Sequence, residues 1–359
     1  MSTPRECPAA LGYQPVAEWK RNSACIAAWP AHEYAWGEFL ARAQVEHAAF
    51  CRALLADDGA EQLQLLVPDA QHEAAARAAL GGLATRTSFW HMPYGDVWLR
   101  DTTPIFVRSA AGLATVRFAF NGWGGKYDYP GDVELGERMQ AALGLPAFGC
   151  PLVAEGGALE LDGEGTCLTT ESCLLNPNRG GATRAVVESA LREAFAVGRV
   201  LWLRDGLAGD HTDGHIDNLA RFAAPGVVLH MRPSDGDANA EVLREIEAVL
   251  ATFSDDRGRR LQLVPVPSPG AVLDAQGAPM PASYMNFYLG NRAVIVPAFG
   301  SRQDATAAAV IGAAFPDRRV VSCRANATLE GGGGTFHCMT RQRPLATPED
   351  AGTPAGGTR

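Results

Sequence analysis

The chain has 359 residues, 47% hydrophobic and 20% charged, so it is long enough to bury a large core and has the composition of a globular protein. Its net charge of −9 argues against nucleic acid or an anionic membrane as a partner and favours a cationic substrate. The sequence contains no apolar run of transmembrane length and no signal-peptide pattern, so we expect a cytoplasmic protein without membrane partners.

Short β-like runs alternate with helical patterns along the chain, which predicts an α/β fold. Apolar residues recur at helical spacing in residues 38–56, 69–80, 134–143, 183–196, 238–253 and 305–314. Apolar runs predict strands at 24–29, 63–67, 114–118, 199–203, 226–230, 261–266 and 292–296. The sequence has no evident linker within residues 1–345, which favours a single domain, and the tail 346–359 has the composition of a disordered segment.

Five polar or glycine-rich corners each lead into a β-like run. They contain Asp101, Glu155, His215, Asn286 and Cys338, at intervals that average about 59 residues. Repeats of this length can build closed arrays. The spacing therefore predicts five pseudo-repeats whose corners point to one central place.

The last corner places Cys338 just after four consecutive glycines, residues 331–334. Glycines permit close backbone approach or positive φ at an entropic cost that a plain strand does not require. A thiol beside such a run is a candidate nucleophile with room for a substrate in front of it. The alternative is a buried structural thiol, the ordinary state of a cysteine in a reducing compartment.

The segment 211–217 contains His211, His215 and Asp217, a combination that is also found in metal sites. A turn is expected just before His215, and residues 216–222 have the pattern of an outgoing strand. On a strand, His215 and Asp217 would face the same side. The pair then has either a structural role or a place in one functional site.

The other corners are individually weak signals. Asp101 follows Trp98 and precedes a turn, so it is either a turn residue or a functional carboxylate. Trp98 is either a core residue or a platform for a ligand. Glu155 precedes two glycines that open space beside it. The loop 120–127 contains Trp123 among glycines but lacks the spacing of a phosphate-binding loop.

A thiol, an imidazole and three carboxylates, without a basic cluster, suit a planar cation as substrate. Carboxylates match the N–H donors of a guanidinium group. A thiolate can attack its central carbon, and a histidine can protonate the departing nitrogen and then activate water. The bound cation would also favour the thiolate.

Together these segments resemble the agmatine deiminase family, within the guanidine-modifying pentein group that also includes arginine deiminases and bacterial-type peptidylarginine deiminases. The matching segments, spread over residues 15–345, are AEWKRNSACIAAWP, VWLRDTTPIFV, FNGWGGKYDYPGD, EGGALELDGEGTCLTTESCLLNPNR, DHTDGHIDNLARF, SYMNFY and GGGGTFHCMTRQRP. The resemblance implies a five-bladed α/β propeller of ββαβ-like pseudo-repeats around a central active site, with no metal and no organic cofactor.

The resemblance also implies roles for the corner residues. Cys338 would be the nucleophile and His215 the general acid and base. Asp101 and Asp217 would hold the guanidinium, and Glu155 would orient His215 and contact the guanidinium. The expected substrate-binding residues are Trp98, Trp123, Gly332 and Gly333. An amidino-cysteine intermediate would give N-carbamoylputrescine and ammonia from agmatine, a reaction that leads toward putrescine in polyamine biosynthesis.

Two departures from the family pattern leave the far end of the substrate open. Arg341 and Arg343 stand in a segment that reads QQQP in many members, and the stretch before His215 is short, with His211 beside Asp210. A cation facing the site would suit the carboxylate of arginine, whereas a surface location would give the two arginines no part in recognition.

Four functions therefore remain as alternatives: deimination of agmatine, the same chemistry on arginine or peptidyl-arginine, a zinc-dependent hydrolase built on His211, His215 and Asp217, and non-catalytic guanidine binding. We exclude His337 from the site, because strand alternation would turn it to the opposite face from Cys338. The sequence does not decide the oligomeric state, with a homodimer as one alternative.

Overall fold

A computed structural model describes residues 7–347, so residues 348–359 of the predicted tail lie outside the described part of the chain. The strands are β1 (Gln14–Pro15), β2 (Asn22–Ala28), β3 (Gln62–Val67), β4 (Thr87–His91), β5 (Ile105–Ser109), β6 (Gly112–Ala119), β7 (Ala147–Val153), β8 (Glu160–Leu161), β9 (Thr166–Thr170), β10 (Arg199–Leu203), β11 (Ala220–Ala224), β12 (Val227–Arg232), β13 (Gln262–Pro267), β14 (Tyr288–Leu289), β15 (Ala293–Ala298), β16 (Arg319–Arg324) and β17 (Thr340–Pro344). The helices are α1 (Glu33–Trp36), α2 (Leu40–Leu55), α3 (Ala70–Leu80), α4 (Leu99–Thr102), α5 (Gly122–Gly125), α6 (Asp132–Leu143), α7 (Glu171–Leu174), α8 (Arg184–Phe195), α9 (Ala240–Leu250), α10 (Asp304–Ala314) and α11 (Asn326–Gly332).

The strands of residues 14–344 form five separate sheets built on one plan. In each sheet an inner strand pairs antiparallel with a middle strand, and the middle strand pairs parallel with an outer one. The five sets, from inner to outer strand, are β5–β6–β7, β8–β9–β10, β11–β12–β13, β14–β15–β16 and β17–β2–β3. β1 and β4 extend two of these sheets at an edge.

A helix connects the middle strand to the outer strand in every unit, because parallel neighbours need a long crossover. These helices are α6, α8, α9, α10 and α2. The repeat of about 59 residues thus corresponds to five ββαβ units, as the sequence predicted. The fifth unit takes its inner strand, β17, from the end of the described chain and its other strands, β2 and β3, from the beginning.

The crossover helices follow directly from local sequence. Helix α8 begins after Thr183, whose hydroxyl accepts a hydrogen bond from the backbone N–H of Val186 at 3.4 Å. Its apolar residues recur at helical spacing and bury Val187, Leu191 and Phe195 against the sheet. Within residues 7–347, the helices lack the combination of length and apolar character needed to cross a membrane.

The six helices and seven strands predicted from the spacing of apolar residues all coincide with observed elements, with small differences at their ends. The prediction of a strand at residues 216–222 is wrong for the first half of that segment. Ile216–Asn218 forms a single 3-10 turn, closed by hydrogen bonds from the N–H groups of Asn218 and Leu219 to the carbonyls of His215 and Ile216, and β11 begins only at Ala220. The proximity of His215 and Asp217 therefore comes from a turn and not from strand alternation.

Candidate active site

The five polar corners of the sequence occupy equivalent places in the five units. Each lies in or beside a short turn that precedes the inner strand of its unit. The residues are Asp101, Glu155, His215, Asn286 and Cys338. Contacts between these corners bring five unlike side chains together, as between Asn286 and Cys338 and between His215 and both Asp101 and Glu155.

Three functional side chains surround a single point beside Gly157. A Cβ atom on Gly157 would lie 2.6 Å from Nδ1 of His215, 2.9 Å from Oδ1 of Asp101 and 3.1 Å from Oδ2 of Asp217. The backbone N–H of Gly157 donates to Oδ1 of Asp101 at 2.8 Å. Only glycine fits at this convergence, which accounts for the second of the two glycines that follow Glu155 in the sequence.

The thiol of Cys338 joins the same group. Its Sγ lies 3.4 Å from Oδ2 of Asp217 and accepts a hydrogen bond from Nδ2 of Asn286 at 3.0 Å. Burial, and then the carboxylates of Asp217 and Asp101, raise the pKa of Cys338 well above its usual value. A cation placed between those two carboxylates would cancel their effect and favour the thiolate.

The imidazole of His215 is completely buried and flanked by carboxylates. Its Nδ1 lies 3.8 Å from Oδ2 of Asp101, and its Nε2 lies 3.5 Å from Oε2 of Glu155. Burial alone would lower the pKa of His215, but Asp101, Cys173 and Glu155 outweigh it and raise the pKa well above its usual value. The folded protein therefore favours the protonated ring, which has a proton to give to a departing nitrogen.

Glu155 lies behind His215. Its Oε1 accepts a hydrogen bond from Nε of the buried Arg179 at 2.8 Å. Burial acts to raise the pKa of Glu155, and the interactions with His215 and Arg179 lower it overall, so the carboxylate stays ionised. This position suits the expected orienting role toward His215. Glu155, like His215 and Asp217, is not part of the cavity wall itself, and its expected direct contact with a substrate stays a prediction.

A cavity of about 290 Å³ opens in front of Cys338. The predicted residues in its wall are Trp98, Asp101, Trp123, Gly332, Gly333 and Cys338. His215 and Asp217 lie immediately behind that wall, against Gly157. The remaining wall is mostly aromatic or apolar, as is usual for a small-molecule site.

Two tryptophans are fixed on the cavity wall by carboxylates. The indole N–H of Trp98 donates to Oδ2 of Asp96 at 2.7 Å, and that of Trp123 donates to Oδ2 of Asp101 at 2.9 Å. The backbone of Trp123 has φ 53° and ψ 49°, in the left-handed region that a bulky side chain rarely adopts. Such strain persists where the surroundings require it, here to aim the indole at Asp101.

The glycines before Cys338 let helix α11 end against aromatic side chains. A Cβ on Gly332 would lie 2.3 Å from the Trp98 ring, and one on Gly334 would lie 2.7 Å from that ring and 3.3 Å from Sγ of Cys338. Gly333 has φ 80° and terminates the helix. The glycines were expected to leave room for the substrate, and they also make room for the indole of Trp98.

Behind Trp98, two buried carboxylates hold the wall in place. Asp96 accepts the indole N–H groups of Trp36 and Trp98, and Oδ1 of Asp132 accepts the backbone N–H groups of Gly95 and Asp96 at 2.7 and 3.2 Å. Burial raises the pKa of Asp96 to about 6 and that of Asp132 to about 7. Both carboxyl groups therefore bind a proton more tightly in the folded protein than in the unfolded chain, Asp132 more so than Asp96.

Asp132→Asn is expected to change how stability depends on pH. The native state binds the Asp132 proton more tightly than the unfolded chain does, so this group's contribution to stability falls as pH rises from about 4 to about 7. Asparagine cannot ionise and keeps the accepting oxygen. Urea unfolding across this range should show the free energy of unfolding of the variant rising by about 1–3 kcal/mol relative to that of the wild type.

The exposed Asp128 of the same segment provides the matched control, as Asp128→Asn removes a surface charge without touching this buried pair. If the free energies of unfolding of Asp132→Asn and the wild type differed by the same amount at all pH values, the assignment of the titration to Asp132 would be contradicted.

The predicted zinc ligands do not assemble. Among the side chains of residues 7–347, the ligand atoms close enough to share a metal ion belong to Glu155, Cys173 and His215, a group that leaves out His211 and Asp217. His211 instead lies in the cavity wall, with Nδ1 2.5 Å from the hydroxyl of Tyr127.

Neither Arg341 nor Arg343 lines the cavity. Arg341 is also not a surface residue: it is 5% exposed, and its guanidinium donates to the backbone carbonyl of Arg100. Arg343 lies on β17 and pairs with Ala24 of β2. Recognition of a substrate carboxylate by these arginines is therefore not supported.

Three residues were left out of the predicted site. Asn286 bonds to Cys338 through Nδ2 and through Oδ1, which accepts the backbone N–H of Cys338 at 3.2 Å. Its position as the fourth corner of the repeat was the available signal. His337 was excluded by strand alternation, but its segment is a turn, and Nδ1 of His337 lies 2.7 Å from Oδ2 of Asp217. Glu18 contacts His337 from the other end of the chain.

Comparison with known proteins gives a consistent result. Residues 14–344 match the family model of Porphyromonas-type peptidyl-arginine deiminases. The chain is 35% identical to the agmatine deiminase of Stutzerimonas stutzeri over 370 residues, covering 96% of this chain and 99% of that protein. It superimposes on the agmatine deiminase of Enterococcus faecalis with a TM-score of 0.87 and 27% identity, covering 96% and 99% of the two chains. A more distant likeness, of fold alone, is to DDAH from Pseudomonas aeruginosa, with a TM-score of 0.52 and 14% identity over 90% and 99% of the two chains.

Proposed function

The chain belongs to the Porphyromonas-type peptidyl-arginine deiminase family, and from this premise we propose that it hydrolyses the guanidinium group of agmatine to N-carbamoylputrescine and ammonia. Both agmatine deiminases described above match it over nearly their whole length. The reaction class is hydrolysis of a C–N bond in a linear amidine.

The observation that carries the choice of agmatine is the charge of the cavity wall. Besides Asp101, the wall contains the carboxylates of Asp274 and Glu330, and no lysine or arginine among the described residues lines it. Tyr127 and Tyr129 supply aromatic faces for an aliphatic chain or an ammonium group. The distal ammonium of agmatine suits this wall, whereas the carboxylate of arginine would face like charges.

The first half-reaction begins when the guanidinium enters between Asp101 and Asp217. Its charge lowers the pKa of Cys338, and the thiol loses its proton to solvent. The thiolate, supported by the N–H of Asn286, adds to the central carbon. Protonated His215 gives its proton to an amino nitrogen, which leaves as ammonia. The product of this step is an amidino-cysteine on Cys338.

The second half-reaction uses His215 in its neutral form. The imidazole removes a proton from a water molecule that adds to the same carbon. The C–S bond then breaks, Cys338 departs as the thiolate, and loss of the remaining hydroxyl proton to solvent leaves the carbon as a ureido group. Glu155, held by Arg179, stabilises the imidazolium that forms again.

A substrate panel tests this function. We expect kcat/KM, followed by ammonia release, to be at least about 10²-fold higher for agmatine than for arginine or a peptidyl-arginine, since each tenfold preference needs only about 1.4 kcal/mol. Glu330→Gln should raise KM for agmatine by about tenfold and leave a guanidine with an uncharged tail unaffected. Equal kcat/KM for agmatine and arginine would contradict the proposal.

The location and the pathway extend this proposal. The product N-carbamoylputrescine would place the enzyme on a route to putrescine and the polyamines. All eight cysteines are free, which supports a reducing compartment such as the cytoplasm. Fractionation of cells that produce the protein, with ammonia release from agmatine as the assay, tests the location.

A further inference from the structure

The carboxylate of Asp217 has one oxygen held by the protein and one left for a ligand. Oδ2 accepts a hydrogen bond from Nδ1 of His337 at 2.7 Å and lies 3.4 Å from Sγ of Cys338. Oδ1 is buried and has no hydrogen-bond partner within the described residues. Buried carboxylate oxygens are normally paired, so the orphaned Oδ1 is suited to accept an N–H from the substrate.

His337 itself is clamped between two carboxylates. It is 1% exposed, and while Nδ1 faces Asp217, Nε2 lies 3.0 and 3.2 Å from the two carboxylate oxygens of Glu18. A histidine bonded at both nitrogens cannot rotate without losing one contact. Its ring orientation, and with it the direction of the N–H toward Asp217, is therefore fixed by Glu18.

Glu18 is in turn fixed by two arginines and a glutamine. Its carboxylate accepts hydrogen bonds from Nη1 of Arg100 at 2.8 Å, from Nε2 of Gln342 at 3.0 Å and from the guanidinium of Arg221. Burial acts to raise the pKa of Glu18, but Arg100, Arg221 and His337 lower it well below its usual value. Glu18 is therefore a stable anion that connects α4, β11 and β17.

We propose that His337, oriented by Glu18, is the positioning residue for Asp217: it holds Oδ2 so that Oδ1 receives the guanidinium in front of Cys338. This inference rests on the proposed function, because it assigns the orphaned oxygen to a planar cation. His337 contacts Asp217, and Glu18 contacts His337, so in this proposal both act through Asp217 and do not touch the substrate.

A matched pair of substitutions separates the two contacts of His337. The amide nitrogen of asparagine is as many bonds from Cα as Nδ1, so His337→Asn keeps the donor to Asp217. The amide nitrogen of glutamine is as many bonds from Cα as Nε2, so His337→Gln keeps only the contact with Glu18. We expect His337→Gln to lower kcat/KM for agmatine about 10²-fold and His337→Asn less than about tenfold.

Thermal melting of both variants provides the structural control. A role confined to stability would lower Tm in both variants and reduce activity in step with the folded fraction. The positioning role requires instead that the two variants differ in kcat/KM at matched folded fraction. Equal losses in the two folded variants would overturn the proposal.

A second readout does not depend on agmatine turnover. Chloroacetamidine is a planar cation that alkylates thiols, and chloroacetamide is its uncharged counterpart. The ratio of their alkylation rates at Cys338 measures how well the site holds a planar cation beside the thiol. We expect His337→Gln and Glu18→Gln to lower this ratio at least about tenfold relative to the wild type, and His337→Asn to lower it less.

The two readouts distinguish the possible failures. A wild-type protein that shows the expected ratios but no ammonia release from agmatine would contradict the proposed function and leave the positioning role intact. Ratios that are identical in the wild type, His337→Gln and Glu18→Gln, with agmatine turnover present in the wild type, would overturn the positioning role alone.

Discussion

Replacement of Cys338 by serine is expected to abolish ammonia release from agmatine, with a loss of at least about 10⁴-fold in kcat. A serine hydroxyl is far less acidic than a thiol, and the nearby carboxylates of Asp101 and Asp217 oppose any further negative charge. The bound guanidinium can compensate enough to make a thiolate but not an alkoxide. No covalent adduct should form.

The control for this substitution is Cys323→Ser. Cys323 is also buried, but it lies on β16 and outside the cavity wall. Cys323→Ser should keep nearly full activity. Cys338→Ser should keep its fold and still bind agmatine, as measured by calorimetry. Residual turnover above about 1% in Cys338→Ser, free of wild-type contamination, would exclude Cys338 as the nucleophile.

His215→Gln is expected to lower kcat about 10²- to 10⁴-fold with little change in KM. The histidine lies behind the cavity wall, so its loss should affect proton transfer in both half-reactions more than substrate binding. Mass spectrometry after mixing with agmatine should detect an adduct on Cys338 with the mass of agmatine less ammonia if the second half-reaction becomes the slower one.

His230→Gln is the matched control, because His230 is equally buried but lies on β12, where its Nδ1 is 3.2 Å from the carbonyl oxygen of Met231. Any loss of activity that comes only from placing glutamine in the protein interior should also appear in His230→Gln. A loss of less than tenfold in kcat for folded His215→Gln would contradict the assignment of His215 as acid and base.

The architecture was predictable because the repeat has a local cause. Each unit needs a polar corner before its inner strand and an amphipathic crossover helix before its outer one, and both patterns can be read from a single sequence. The corner residues could be found for the same reason. Asn286 marked a corner as clearly as Cys338 did, but an amide suggests no chemistry until its distance of 3.0 Å to the thiol is known.

The predictions that were wrong have a different origin: they concern places where the structure depends on contacts between distant parts of the chain. Periodicity assigned strands to residues 216–219 and around His337, where hydrogen bonds close turns. The partners of His337 are Asp217 and Glu18, which lie 120 and 319 positions away in sequence. Arg341 was treated as a surface or substrate-facing cation, and only the folded chain places it against the carbonyl of Arg100.

The pairing of β17 with β2 has a consequence for synthesis. Ser23 bonds to the carbonyl of Pro344 across 321 positions, and the turn that carries Cys338 immediately precedes β17. During translation the first four units can form while the last is still missing its inner strand. A nascent or truncated chain thus has carboxylates but no thiol beside them. Reactivity toward guanidines begins only when the two ends of the chain meet. Activity itself therefore reports that β17 has paired with β2.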